Sequence, residues 1–115
     1  MVVDERAALD DLFHALADGT RRDIVVRTLE SEYSVSALSR LYPMTFAAVQ
    51  KHVAVLERAA LVTKRRSGRE QLVTGNVDTV RRAARLLDQL ELVWRARMDR
   101  FGAVLAEDPE PGDPR

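Results

Sequence analysis

The sequence predicts a mainly α-helical fold carrying one small β-hairpin, and three observations support it. Apolar residues recur at three- and four-residue steps over most of the chain, as in Leu9, Leu12, Phe13 and Leu16. From Leu61 to Thr74 that rhythm gives way to two short runs of Val, Leu and Thr around Ser67-Gly68. Aromatic residues make up only 5% of the chain, which argues against a β-rich core.

A chain of 115 residues, 46% hydrophobic and 31% charged, suits one globular domain, read here as residues 1–105, with 106–115 as a separate tail. That tail, AEDPEPGDPR, has three prolines and four acids and is expected to be disordered. There are no cysteines, which excludes disulfides, thiolate metal sites and thiol nucleophiles. No signal-peptide pattern opens the sequence and no apolar run reaches the ~18 residues that span a bilayer, so the expected location is the cytoplasm, away from membranes.

The formal net charge is zero, yet the cations are not evenly spread. Residues 1–18 hold five acids (Asp4, Glu5, Asp10, Asp11, Asp18) against Arg6. Residues 45–74 hold six bases (Lys51, Arg58, Lys64, Arg65, Arg66, Arg69) against Glu57 and Glu70, a local excess of four. A neutral total thus hides a basic middle suited to a polyanionic partner.

Each element follows from local chemistry. Asp4 to Ala17 is an amphipathic helix with an acidic first turn, which complements the helix dipole. Asp18 can cap a second helix, Thr20 to Glu30, whose inward face is Ile24, Val25 and Leu29. Glu32 to Val35 is short and β-tolerant, and Ser36 is placed to cap a brief third helix carrying Ala37, Leu38 and Leu41. Tyr42-Pro43-Met44 stops that helix, because proline removes a donor and biases its predecessor away from helical angles. Thr45 then caps a fourth helix running to Ala59 or Ala60. Two helices across a short turn, followed by strands Leu61–Arg66 and Arg69–Thr74, make a helix-turn-helix beside a basic hairpin, which is a winged helix. A long last helix, Val77 to Leu105, is capped by Asn76 or Asp78. It carries Val80, Ala84, Leu87, Leu90 or Glu91, Trp94, Met98, Phe101 and Leu105 near heptad spacing. A second stripe, Ala83, Leu86, Leu90 and Val93, widens its apolar face.

The segments LFHALADGTRRDIVVRTL, YSVSALS and AAVQKHVAVLERAALVTKRRSGREQLV, taken together, resemble the ArsR-type family of small winged-helix repressors. The resemblance covers roughly residues 9 to 100. It implies a homodimer, with the third and fourth helices reading double-stranded DNA, the hairpin as wing, and the first and last helices as dimer interface. On this sequence the interface set is Leu9, Leu12, Phe13 and Leu16 from the first helix, and Leu87, Leu90, Trp94, Met98 and Phe101 from the last. The family's founding metal sensors carry thiolates where Ser34 and Ser36 stand here, and no histidine lies beyond His52, so no metal or cofactor is expected. An unidentified small molecule remains open as effector. Ala60 stands where family members often place glycine; left-handed angles there cost roughly 1–2 kcal/mol.

With Val49 at the centre of the fourth helix's buried face, Phe46, Val53, Leu56 and Ala60 fall near it, and Ala47, Gln50, Lys51, Ala54 and Arg58 face outward. Gln50 suits an adenine edge, Lys51 a guanine or phosphate, and Ala47 a thymine methyl. Thr45 and the helix start suit a phosphate. Phe46 is assigned to the DNA-contacting set as well as to the anchor. Lys64, Arg65, Arg66 and Arg69 would meet backbone phosphates or the minor groove. His52 is either a hydrogen-bonded boundary residue or a phosphate contact. His14 reads as structural or interface, and Trp94 as core or dimer residue.

No enzyme is expected. Asp10 and Asp11 diverge by 100° and cannot act as a facing acid/base pair, and no phosphate loop or supported Ser/His/Asp order is present. The expected function is a homodimeric, sequence-specific transcriptional regulator, a repressor, reading an inverted repeat with helix 45–59 in the major groove and hairpin 62–74 on the backbone or minor groove. The alternative is a winged-helix dimer that serves as a protein-protein interaction module.

Overall fold

A computed structural model describes residues 4–106; of the tail expected to be disordered, Ala106 ends the last helix and residues 107–115 lie outside the described residues. The chain divides into two compact units, Met1–Ala83 and Ala84–Arg115.

The first unit opens with α1 (Glu5–Leu16), whose start is closed by the Asp4 carboxylate accepting from the Arg6 amide at 3.0 Å. Asp18 caps α2 (Gly19–Glu30) in the same way through the Arg21 amide, as its type and position predict. The inward face of α2 differs from expectation. Ile24 and Val25 are buried, but Leu29 is half exposed and Thr28 takes the interior position, its hydroxyl donating to the Ile24 carbonyl at 2.7 Å. That bond removes the penalty of burying a hydroxyl.

β1 (Tyr33–Ser34) leads directly into α3 (Val35–Ser39). The cap of α3 is Ser34, whose hydroxyl accepts from the Ala37 amide at 3.0 Å, and not Ser36, which lies inside the helix. Leu38 is fully buried, whereas Leu41, beyond the helix end, is exposed. α4 (Phe46–Arg58) is capped by Thr45 through the Ala48 amide. Its core face is Val49, Val53 and Leu56, all within 1% of complete burial. Phe46 is 46% exposed, so it does not anchor the helix: at the first turn it projects past the core instead of into it. Ala60 has φ 62°, so the end of α4 does take the left-handed angle that the resemblance raised as a condition.

β2 (Val62–Ser67) and β3 (Glu70–Gly75) form the hairpin, and β1 adds to β3 to give a three-stranded antiparallel sheet ordered β1-β3-β2. The turn is Gly68-Arg69, one residue later than expected, with Ser67 opposite Glu70. Gly68 at φ +63° supplies the positive angle that a tight two-residue hairpin needs at its first central position. Gly75 is required for a different reason. A Cβ there would lie 2.8 Å from Leu29 Cγ, so the end of β3 passes against α2 at a distance only glycine allows. The core joins Leu12, Ala15, Ile24, Leu38, Val49, Val53, Leu56, Leu61, Val62 and Val73.

α5 (Val77–Ala106) starts where Asn76 accepts from the Asp78 amide at 3.1 Å. Thr79 and Ala83 are its buried residues, and Ala84 is exposed. In the second unit, Leu87, Leu90, Val93, Trp94 and Phe101 are each more than half exposed, and Glu91 pairs with Arg95 at 2.9 Å.

Candidate nucleic-acid interface

α4 turns Ala47, Gln50, Lys51 and Arg58 to the surface, with Ala54 half-buried between them. Residues three and four apart share a helix face, and the alanines keep the backbone close to whatever lies against it. The hairpin approaches this face from one side. Gln50 and Phe46 of α4 line a depression of about 250 Å³ together with Val35 and Ser36 of α3 and Lys64, Arg69, Glu70 and Gln71 of the hairpin. Helix and hairpin thus present one continuous concave surface, assembled from three elements that the core holds in place.

Known proteins share this arrangement of elements. No protein-family model matches the chain. The structure of an ArsR-like transcriptional regulator from Rhodococcus sp. RHA1 superposes with a TM-score of 0.77 and 28% identity, covering 92% of this chain and 99% of the other. The helix-turn-helix-type transcriptional regulator Rv2034 of Mycobacterium tuberculosis is 44% identical over 59 residues, 51% of this chain. This chain spans 55% of that relative's length. The homodimeric winged helix-turn-helix domain Mb0332 of Mycobacterium bovis, 23% identical, shares the fold with a TM-score of 0.62 over 79% of this chain and 89% of its own. The chain has the winged helix-turn-helix fold of ArsR-like transcriptional regulators.

In this chain the wing cations fall into two classes. Strand alternation puts Val62, Lys64 and Arg66 on the face shared with Val73 and Gln71, and Thr63 and Arg65 on the opposite face. Lys64 Nζ is 3.3 Å from Glu57 of α4. Arg65 is held from the other side: Nη2 donates to Glu32 Oε1 at 2.9 Å and Nε to Oε2 at 3.1 Å, while Thr74 Oγ1 donates to Oε2 at 2.9 Å. Arg65, then Thr74, hold the Glu32 carboxyl below its ordinary range. The expectation of four equivalent wing cations therefore gives way to two held in ion pairs. Among the described residues, Arg66 and Arg69 make no such pair, nor do Lys51 and Arg58 on α4.

His52 turns its Nδ1 toward α2, 3.4 Å from Arg21 Nη1 and 3.9 Å from Asp18 Oδ2. This favours the boundary role over the phosphate contact. Arg21 was not singled out in the sequence, yet it also donates to the Ala15 and His14 carbonyls and so ties α1, α2 and α4 together. The Arg21 amide, foremost, lowers the Asp18 pKa. Leu12, expected in the dimer interface, is 1% exposed within the core and is not available to a partner; Leu9, Phe13 and Leu16 are partly buried against it.

The positions of the family's metal thiolates do not fit a metal here. Ser34 uses its hydroxyl to cap α3, and among the described residues no group of three or more His, Cys, Asp or Glu could hold an ion. Nor, among the described residues, is any helix long and apolar enough to cross a membrane. Gln71 and Ser36, which line the depression, were missed in the sequence. The observed turn at Gly68-Arg69 pairs Gln71 with Arg66, whereas the expected turn one residue earlier sets it opposite Lys64, so its place depends on a register that strand period alone does not fix.

Proposed function

We propose that the chain is a sequence-specific DNA-binding transcriptional regulator that acts as a homodimeric repressor in the cytoplasm. The observation that carries this is the shared depression: Gln50 on α4 and Lys64, Arg69 and Gln71 on the hairpin line one surface, and Lys51, Arg66 and Arg69 make no ion pair among the described residues. α4 would lie in the major groove with Gln50 and Lys51 at base edges, Ala47 beside them, and Thr45 at a phosphate. Arg66 and Arg69 would meet the backbone or the minor groove.

Dimerisation is supported by the apolar stripe of Leu87, Leu90, Trp94 and Phe101 on α5, exposed in the single chain, and by the homodimeric M. bovis domain of the same fold. A two-fold dimer reads an inverted repeat with half-site centres one helical turn, ~34 Å, or a multiple apart. Titrating the chain into its own upstream region and into scrambled duplex, with fluorescence anisotropy as readout, tests the proposal. Preference for the upstream region supports it; equal, salt-insensitive binding to both, with capture of a protein partner unaffected by Arg66→Ala, would favour the interaction-module reading instead.

A further inference from the structure

Arg65 lies between Lys64 and Arg66 along β2, its side chain on the opposite face of the sheet from theirs, and the Nε–Nη2 edge of its guanidinium is occupied. The carboxylate that holds it comes from outside the hairpin. Glu32 lies at the head of β1, 33 residues earlier, and one register step beyond the Tyr33–Val73 pair places it opposite Thr74. Three donors converge on its two oxygens: Arg65 Nη2 on Oε1, Arg65 Nε and Thr74 Oγ1 on Oε2. This is a fork-to-fork pair with its acceptor locked in place, unlike the single 3.3 Å contact between Lys64 and Glu57.

The pair is too exposed to matter much for folding, with the Arg65 side chain 62% accessible, because surface ion pairs contribute little to stability. Its consequence is for the charge that the wing shows to a partner. A phosphate offers Arg65 the same two-oxygen geometry as a carboxylate and competes for the same N–H groups. We propose that Glu32 is a built-in competitor of DNA phosphate for Arg65, lowering the wing's affinity for nucleic acid; the inference rests on the DNA-binding reading above. Such a restraint acts on all sequences alike and so widens the gap between an operator, which base contacts favour, and the surrounding duplex.

The test is anisotropy of a short mixed-sequence DNA duplex titrated with the full chain between about 50 and 200 mM salt. Glu32→Gln should bind about five-fold tighter at the lowest salt, with the log–log salt slope steeper by about 0.9, the signature of one added phosphate contact. Arg65→Gln alone should change affinity less than about two-fold, since that side chain is already engaged, and the double variant should return to wild-type affinity and slope. Thr74→Val, which frees one carboxylate oxygen without altering charge, should give an intermediate gain. Asp10→Asn, the same charge change on exposed α1, should give a smaller gain than Glu32→Gln. Equal affinity of Glu32→Gln and wild type, an equal gain from Asp10→Asn, or a gain that survives in the double variant would each overturn the proposal. Wild-type protein that shows no salt-dependent binding would overturn the DNA-binding reading itself.

Discussion

The Tyr42 hydroxyl donates a 2.5 Å hydrogen bond to the Asp23 carboxylate, which also accepts from Arg27 Nε at 2.8 Å. This joins the segment ahead of α4 to the middle of α2. Tyr42 first, then Arg27, hold the Asp23 carboxyl below its ordinary range, while burial and the bond to Asp23 push the Tyr42 phenol up to about 12. A depressed carboxylate stabilises the fold above its unfolded pKa of ~3.9 and loses that contribution as pH falls through the folded value. A raised phenol contributes fully below its unfolded pKa of ~10 and loses its contribution as pH rises toward 12. Tyr42→Phe should therefore cost about 1–2 kcal/mol near neutral pH and flatten both the acid and the alkaline limbs. Urea unfolding across pH measures this; a variant whose limbs match wild type would contradict it.

Backbone geometry makes opposite predictions at two positions. Ala60 sits at φ 62°, where glycine carries no steric penalty, so Ala60→Gly should stabilise by about 1 kcal/mol. Gly75→Ala should destabilise by about 1–3 kcal/mol, because the new methyl group meets Leu29 Cγ at 2.8 Å and the Leu29 backbone nitrogen at 2.9 Å. Thermal unfolding of the two variants should shift in opposite directions.

Substitutions at the interface should separate specificity from affinity. Gln50→Ala or Lys51→Ala should lose about 1–3 kcal/mol of discrimination between operator and scrambled duplex. Arg66→Ala and Arg69→Ala should weaken binding to all sequences and reduce the salt slope by about 0.9 each. Salt-series anisotropy on both duplexes distinguishes the two patterns.

Self-association should depend on the outward face of α5. Trp94→Asp, at a position 54% exposed in the single chain, should convert a dimer to a monomer by light scattering and lower the unfolding midpoint, since a subunit partner stabilises by mass action. A Trp94→Asp protein that remains dimeric would move the interface elsewhere.

Much of this molecule is legible one helical turn at a time. Asp18 and Thr45 were readable as caps because a cap needs only an oxygen two or three residues from a free amide, whereas Asp4, read as helical, turned out to cap α1. The hairpin near Gly68 was also local, and the wing was found by its composition. Ser34 was overlooked as a cap because Ser36 offers the same chemistry two residues on, and only the pairing of β1 with β3 decides where α3 begins. Phe46 and Leu29 satisfy the apolar period yet project past the core, since periodicity gives a direction and not the depth of what lies there.

By itself the sequence determined the order and type of the main elements, the caps at Asp18 and Thr45 and the cationic middle, because each depends on contacts spanning a few residues. Only the tertiary structure decided which cations are free. Glu32 finds Arg65 across 33 residues and Asp23 finds Tyr42 across 19, and such partners are chosen by how the sheet and helices pack, which no local pattern encodes.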